Sequence, residues 1–348
     1  MGARSRENLY PAYKAVQNRT VMTNLYIHSF ALHSPEKILS NDDLSRVVDT
    51  SDEWIRTRTG ISFRHVAAEG ENASDLGTMA ARDALAEAGV EASSLTHVIV
   101  ATGTPDHLSP SLSCIIAGNL GAGAVMAFDI SAACTGFIYG LSVCHAFLQA
   151  NPKARILFVC AEAMTRRVNW QDRSTCVLFG DGAGAMVISG EAENALARLE
   201  DVECLSDGNG RDLIVVGGGT ACAYKMGDPV DEGFFIRMNG RETYKAAVRN
   251  MTSICKDLLA RNNYTIADVD LLVAHQANIR IVEAVGERLG IATDHVFTNL
   301  SHYGNTSSAS IPIALAEAKT QGCLAKGKLV LTTAFGSGLT WGGALLRF

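Results

Sequence analysis

No CxxC pair occurs in this sequence, and its nine cysteines, at 114, 134, 144, 160, 176, 204, 222, 255 and 323, are odd in number. That argues against a zinc site or a disulfide framework; no metal is expected, and a reducing cytoplasm is the expected compartment. Proline is scarce, at 7 of 348 residues, so Pro-rich linkers are lacking. No long basic run appears and the net charge is −6, from 30 basic and 36 acidic side chains. Nucleic acid is therefore not expected as the main partner. No apolar stretch reaches the ~20 residues needed to cross a bilayer, so no membrane partner is expected. Residues 1–21 are polar, with Arg4, Arg6, Lys14 and Arg19, and lack an apolar signal core. They are expected to be an extension without fixed structure, with Met22 a sensible start.

What remains is a well-packed globule: 47% hydrophobic, 19% charged, with 32 glycines for tight turns. A weak repeat organises it. In the first half, THVIVATGTPD reads as a strand and turn, followed by a helix ending at Leu120-Gly121, an apolar run Val125–Ile130 and the small-residue loop SAACTG. In the second half, VDLLVAHQAN is followed by a helix ending at Leu289-Gly290, the run from His295 through Thr298 and the loop HYGNTSSAS. Each copy closes on another buried strand, ARILFVCAEA or GKLVLTTAFG. Alternating strands and helices predict an α/β fold with largely parallel sheets. The halves are expected at 22–194 and 195–348, meeting near Glu191–Leu199 about a pseudo-twofold axis that gathers both small-residue loops at one site.

Cys134 follows the strand AFDIS and precedes the helical stretch GFIYGLSVCHAFL. A helix N-terminus there favours thiolate and lowers an ordinary pKa of ~8.5. Taken alone, Cys134 is as well read as a buried apolar residue; the other eight cysteines are read that way. His275 ends the strand LLVA and opens the turn HQAN, a place suited to acid–base work, although alone it reads better as a surface histidine. Asn305, in GNTSSAS, alone reads as a turn residue or helix cap. FGDGAGA, residues 179–185, lacks the Lys-Ser/Thr of a phosphate loop and is expected to be a structural turn. FGSGLTWG, residues 335–342, follows a strand; its backbone N–H groups could serve an oxyanion, or it is a plain glycine turn.

These pieces together resemble the β-ketoacyl-[acyl-carrier-protein] synthase III family. The matching stretches are VDTSDEWIRTRTGI, AFDISAACTGF, FGDGAGA, HQANIRI, GNTSSASIPIAL and FGSGLTWG, in family order from about residue 24 onward. The resemblance implies a thiolase-like fold, two similar halves in a five-layered αβαβα arrangement, usually as a homodimer. It implies a decarboxylating condensation of an acyl-CoA primer with malonyl-acyl carrier protein, initiating fatty-acid synthesis without a cofactor. By position, Cys134 would be the acylated nucleophile, completed by His275 and Asn305, with an oxyanion hole from the backbone of Cys134 and Ser337. Trp54, Arg58 and Arg173 match positions that clasp coenzyme A, while Gly240, Ala277, Asn278 and Arg280 match the pantetheine tunnel and its mouth. Two departures stand out. The loop at 336–338 reads Gly-Ser-Gly where all-Gly versions are common, and Ser109 stands where several relatives carry a bulky aromatic gating the partner subunit's acyl pocket.

An acidic carrier protein needs a local basic patch on a chain of net negative charge. Arg241, Lys245 and Arg249 recur at intervals of four, so they share a helix face, and with Arg280 they are the expected docking patch. On spacing alone, the same residues are an ordinary solvated face. Another condensing enzyme on the same scaffold and a non-catalytic acyl-binding subunit are the alternatives. The intact Cys134, His275 and Asn305 argue against the second.

Overall fold

In a computed structural model of the chain, residues 24–217 and 232–348 are described. The extension expected over residues 1–21 and Cys222 lie outside the described residues. The strands are β1 (Leu25–Ile27), β2 (Ala31–His33), β3 (Ile38–Ser40), β4 (Phe63–His65), β5 (His97–Ala101), β6 (Met126–Ile130), β7 (Arg155–Ala163), β8 (Asp181–Ser189), β9 (Ala197–Ser206), β10 (Ile214–Val216), β11 (Ile236–Met238), β12 (Leu271–Ala274), β13 (Leu329–Gly336) and β14 (Thr340–Arg347). The longer helices are α1 (Asp52–Thr59), α2 (Ala73–Ala88), α3 (Leu112–Leu120), α4 (Gly136–Ala150), α5 (Gly240–Arg261), α6 (Ile279–Leu289) and α7 (Ser310–Thr320).

The repeat is written into strand pairing. In the first half β5 runs parallel to β7, β7 antiparallel to β8, and β8 antiparallel to β1. In the second, β12 runs parallel to β13, β13 antiparallel to β14, and β14 antiparallel to β9. The halves join edge to edge where β1 pairs with β9, giving one ten-stranded sheet in the order β12-β13-β14-β9-β1-β8-β7-β5-β6, with β2 on β8. Between β8 and β9 the chain crosses at residues 190–196.

Three apolar clusters turn this sheet into five layers. α2 and α3 cover β5, β7 and β8 through Leu76, Ala80, Ile116 and their neighbours. α5 and α6 cover β12, β13 and β14 through Met251, Leu258, Val282 and Val285. Between the two halves lie α4 and α7, whose Phe137, Leu141, Leu148, Ile313 and Leu315 share one core with strands of both. The 18-residue segment Ala133–Ala150 is apolar enough to span a bilayer by composition, with mean hydropathy 1.2. Here its apolar side chains face the shared core instead. β7 and β8 are buried along almost their whole length, which explains their unbroken apolar sequences. Both expected Leu-Gly breaks are helix ends: Gly121 and Gly290 cap α3 and α6 with φ of +67° and +81°.

Three expectations fail. The sheet is not largely parallel: β5–β6, β5–β7 and β12–β13 are parallel, but β7–β8, β8–β1, β8–β2, β1–β9, β9–β14 and β13–β14 are antiparallel, because β7–β8 and β13–β14 are joined without a long crossover helix. FGDGAGA is not a turn: from Asp181 onward it is strand β8, its small residues admitting α7, since a Cβ on Gly184 would lie 2.7 Å from Pro312 Cβ. The run at 295–298 makes a 3₁₀ turn, Thr293–His295, and one bridge, Leu272 to Val296, instead of a full counterpart to β6.

Candidate active site

Cys134 sits in a 3₁₀ turn, Ala133–Thr135, between β6 and α4. Its counterpart in the second half is the 3₁₀ turn Ser307–Ala309, which leads into α7. Each turn begins with a non-glycine residue in the left-handed region, Ala133 at φ +47° and Ser307 at φ +51°. Such conformations cost ~1–3 kcal/mol each and persist only where the surroundings impose them. The two turns pack against each other. A Cβ at Gly136 would lie 2.9 Å from the Cβ atoms of both Ala101 and Ser308, so a side chain there would force the halves apart.

Asn305 is pinned by its backbone to the loop after Arg173. Its N–H donates to Leu178 O at 2.8 Å, and its carbonyl accepts from Gly180 N–H at 3.1 Å. The Asn305 Oδ1 accepts from Ser307 N–H at 2.8 Å, which leaves the amide NH2 as the group available for donation. His275 extends the β12–β13 pairing, donating its N–H to Thr333 O at 2.8 Å. It is not the surface residue its sequence position allows: it is 3% exposed, and its Nδ1 lies 2.6 Å from Ser310 Oγ. Ser310 Oγ also accepts from Gln276 N–H at 3.3 Å. The Ser310 hydroxyl keeps its proton for donation to Nδ1, a pairing that puts the ring proton on Nε2 and makes Nε2 the donor toward the cavity.

Cys134, His275, Asn305 and Ser337 line one cavity of about 1010 Å³. So do Trp54, Arg58, Arg173, Gly240, Arg241, Lys245, Ala277, Asn278 and Arg280. Asn278 caps α6 through Arg280 N–H and reaches Arg58 O at 3.1 Å, tying the two walls together. The guanidinium carbons of Arg58 and Arg173 each lie 4.7 Å from the centre of the Trp54 ring, so the ring already carries cation–π partners. The Ser337 hydroxyl donates to Ile214 O; the serine in the Gly-Ser-Gly loop thus braces β10 with its side chain. Two expected residues stand apart. Arg249 is exposed on α5 beside Asn250, and Ser109 lies in an exposed loop; neither lines this cavity.

The electrostatics correct one expectation. The helix N-terminus was expected to favour thiolate at Cys134. Instead, burial pushes the thiol up to about 12, with the Glu162 charge adding to it and a Ser307 hydrogen bond opposing it. The side chain is half-buried and lines the cavity, and the protein around it replaces water that would solvate a thiolate. Burial likewise pushes His275 down to about 3, so its imidazole is neutral across the physiological range. The resting pair is a thiol and a neutral imidazole. Alkylation of Cys134 by iodoacetamide is accordingly expected to be slow at neutral pH and to rise about tenfold per pH unit, because only thiolate reacts. A plateau near neutral pH, read by mass spectrometry of the labelled peptide, would show the helix terminus prevailing over burial.

Sequence reading treated the serines of GNTSSAS only as small neighbours. In the fold they are the orienting groups: Ser307 for Asn305 and Cys134, Ser308 for Glu162, Ser310 for His275. Glu162 and Gln276 were missed as well. Gln276 is 1% exposed; its amide donates to Ala274 O and accepts from Thr298 Oγ1, holding the turn that carries His275. A lone carboxylate in VCAEA was the available signal for Glu162.

Two family models match the chain: "3-Oxoacyl-[acyl-carrier-protein (ACP)] synthase III" over residues 128–208 and its C-terminal counterpart over residues 259–348. A β-ketoacyl-[acyl-carrier-protein] synthase III of Nitratidesulfovibrio vulgaris (strain DSM 19637 / Miyazaki F) is 56% identical over 92% of this chain and 97% of its own. One from Clostridium perfringens is 43% identical over 94% of this chain and 100% of its own. Among solved structures, the 3-oxoacyl-[acyl-carrier-protein] synthase III of Aquifex aeolicus superposes with TM-score 0.86 at 42% identity, covering 93% of this chain and 100% of that one. The Thermus thermophilus enzyme gives TM-score 0.86 at 39% identity, covering 93% and 99%. Identity of this extent, along nearly the whole length and on the same two-half fold, leaves one assignment: the chain belongs to the β-ketoacyl-[acyl-carrier-protein] synthase III family, condensing enzymes of the acyltransferase class with a thiolase-like fold.

Proposed function

We propose that this chain condenses an acyl-CoA primer with malonyl-acyl carrier protein, with loss of CO2, through an acyl group held on Cys134. The observation that carries this reading is the convergence of Cys134 from one half with His275 and Asn305 from the other on a single cavity lined by Trp54, Arg58 and Arg173.

In the first step the Cys134 sulfur attacks the thioester carbon of acyl-CoA. The C–S bond to CoA breaks, and the proton lost from Cys134 leaves on the CoA thiol, so transfer between two thiols needs no net proton. The backbone N–H groups of Cys134 and Ser337 stabilise the tetrahedral oxyanion. In the second step the C–C bond to the malonyl carboxylate breaks, CO2 departs, and the electron pair becomes an enolate. His275 Nε2–H and the Asn305 amide donate to its oxygen. Neutral donors suit this task better than carboxylates, which would repel the developing charge. The enolate carbon attacks the acyl-Cys134 carbon; the C–S bond breaks, and the thiolate regains a proton from solvent. Coenzyme A is here a substrate, and the scheme uses no cofactor.

Arg241, Lys245 and Arg280 at the cavity mouth, with Arg249 beyond it, form the docking patch for the acidic carrier protein. Glu283 and Glu287 share that mouth, and Lys245 pairs with Glu242 at 2.8 Å, so the patch is of mixed charge. Reversing Lys245 and Arg249 to Glu is expected to raise KM for malonyl-carrier protein about tenfold, as loss of complementary rim charges does, while sparing loading from acyl-CoA. Equal impairment of both half-reactions would remove the patch from the reading.

A homodimer accompanies the reading. β6 ends the sheet with Met126 51% exposed, and Leu108 beside Ser109 is 89% exposed, which suits burial against a second copy. In that arrangement Ser109, small and exposed, would leave the partner's acyl pocket open to longer or branched primers. The eight described cysteines are all free, which suits a reducing cytoplasm. Supplying malonyl-carrier protein with a panel of acyl-CoAs and identifying the products tests both points. A 3-oxoacyl product is expected from primers beyond acetyl-CoA. Activity confined to acetyl-CoA would refute the open pocket, and no product from any primer would refute the reaction.

A further inference from the structure

Glu162 is a fully buried carboxylate at the end of β7 that the scheme above does not use. It joins three pieces of chain. Its oxygens accept from Gly103 N–H at 3.0 and 3.2 Å and from the Thr104 hydroxyl at 2.7 Å, both in the loop after β5. From the other half they accept the Ser308 hydroxyl at 2.7 Å and Ser308 N–H at 3.3 Å. The donors are neutral amides and hydroxyls; the backbone N–H groups, which can only donate, both reach Oε1, from Gly103 at 3.2 Å and from Ser308 at 3.3 Å, while Oε2 takes the Thr104 hydroxyl.

The repeat gives Ser308 its meaning. It follows the left-handed Ser307 just as Cys134 follows the left-handed Ala133, so Ser308 is the pseudo-twofold counterpart of the nucleophile. Where Cys134 faces the cavity, Ser308 turns to Glu162. The adjacent Ser307 N–H holds Asn305 Oδ1. A fixed Ser308 therefore fixes the turn that orients the Asn305 amide.

We propose that Glu162 is a positioning residue that grips Ser308 and so sets the Asn305 donor against the enolate during decarboxylation. This rests on the role given above to Asn305. The carboxylate has a second effect: it grips Ser308 in the turn whose Ser307 bonds Cys134, and its charge disfavours the thiolate there.

The test uses the full-length protein and two readouts, decarboxylation of malonyl-carrier protein and alkylation of Cys134 by iodoacetamide at one fixed pH. Ser308→Ala removes the hydroxyl grip and keeps the charge. Glu162→Asp, one methylene shorter, cannot reach both Gly103 and Ser308. In both, decarboxylation is expected to fall by up to about 10²-fold, the scale of a misplaced catalytic group, with alkylation unchanged. Glu162→Gln keeps an oxygen for Ser308 and an NH2 able to donate to the Thr104 hydroxyl. It is expected to retain most decarboxylation and to alkylate faster than wild type. A general structural role would depress both readouts together, and that outcome overturns the proposal. So does a Glu162→Gln enzyme that decarboxylates no better than Glu162→Asp, or a Ser308→Ala enzyme at wild-type rate. Asn305→Ala in the same assay separates the two readings. If it decarboxylates normally, the role of Asn305 is wrong; if it is impaired while Ser308→Ala and Glu162→Asp are not, Glu162 is the error.

Discussion

Cys134→Ala is expected to acquire no acyl mass after incubation with acetyl-CoA, and its condensation rate is expected to fall by about 10⁴-fold or more, the order seen when an acyl-transfer nucleophile is removed. The wild-type chain gains one acetyl group in the same intact-mass measurement. The size of the loss follows from geometry. Cys134 is half-buried and lines the cavity, and among the described residues no other cysteine does, so the primer meets no substitute thiol there. Cys114 is exposed, but it lies on α3 and does not line the cavity. An adduct that persists in Cys134→Ala at wild-type yield would transfer the nucleophile's role elsewhere. A wild-type chain that takes up no acyl group from any acyl-CoA would favour an acyl-binding subunit or a different donor. Cys134→Ser would keep the size of the side chain but not its reactivity, because an alcohol is a weaker nucleophile than a thiol.

The second large effect concerns the donors. His275→Ala and Asn305→Ala are each expected to lower decarboxylation of malonyl-carrier protein by about 10²–10³-fold, the loss typical of removing one oxyanion donor. Loading of Cys134 from acyl-CoA should be much less affected, because the proposed scheme gives the oxyanion of that step to backbone N–H groups. The double variant should lose less than the product of the two, since both side chains act on one oxygen. Because burial pushes His275 down to about 3, the imidazole holds the same neutral, donating form throughout the neutral range. Decarboxylation by pre-acylated enzyme should therefore be nearly independent of pH there. A step with an apparent pKa near 6.5, abolished in His275→Ala, would show instead that the imidazole titrates during the reaction.

The two steps place opposite demands on the site. Acylation requires a reactive sulfur, yet the resting thiol is held protonated by burial and by Glu162. Decarboxylation requires neutral donors in a dry cavity, and the same burial supplies them at His275. A buried site that suits the enolate thus raises the cost of the thiolate. Because thiol exchange conserves the proton, that cost arises only in passing, when the bound thioester can share it.

Much of this was legible from residue order. Alternating apolar strands and helices, helix ends at Leu120-Gly121 and Leu289-Gly290, and two small-residue loops in corresponding places established a doubled α/β unit. These are local signals: periodicity, turn chemistry and capping operate over a few residues. They placed Cys134, His275 and Asn305 in turns that the fold brings to one cavity, and left each open between a chemical and a structural role.

Only tertiary packing decided the rest. FGDGAGA became a strand because α7, more than 120 residues later, lies against its glycines. His275 became buried and neutral because Ser310 and the second-half sheet enclose it. At Cys134 the local signal and the global one conflict. The helix N-terminus that the sequence displays favours thiolate, but the walls that exclude water are built from the other half of the chain, and desolvation prevails. The sequence by itself determined which groups could react and in which turns they sit. Their protonation states, the pairing of His275 with Ser310 35 residues away and that of Glu162 with Ser308 146 residues away depended on distant segments meeting in space, because desolvation and hydrogen-bond geometry belong to the assembled interior and not to any stretch of chain.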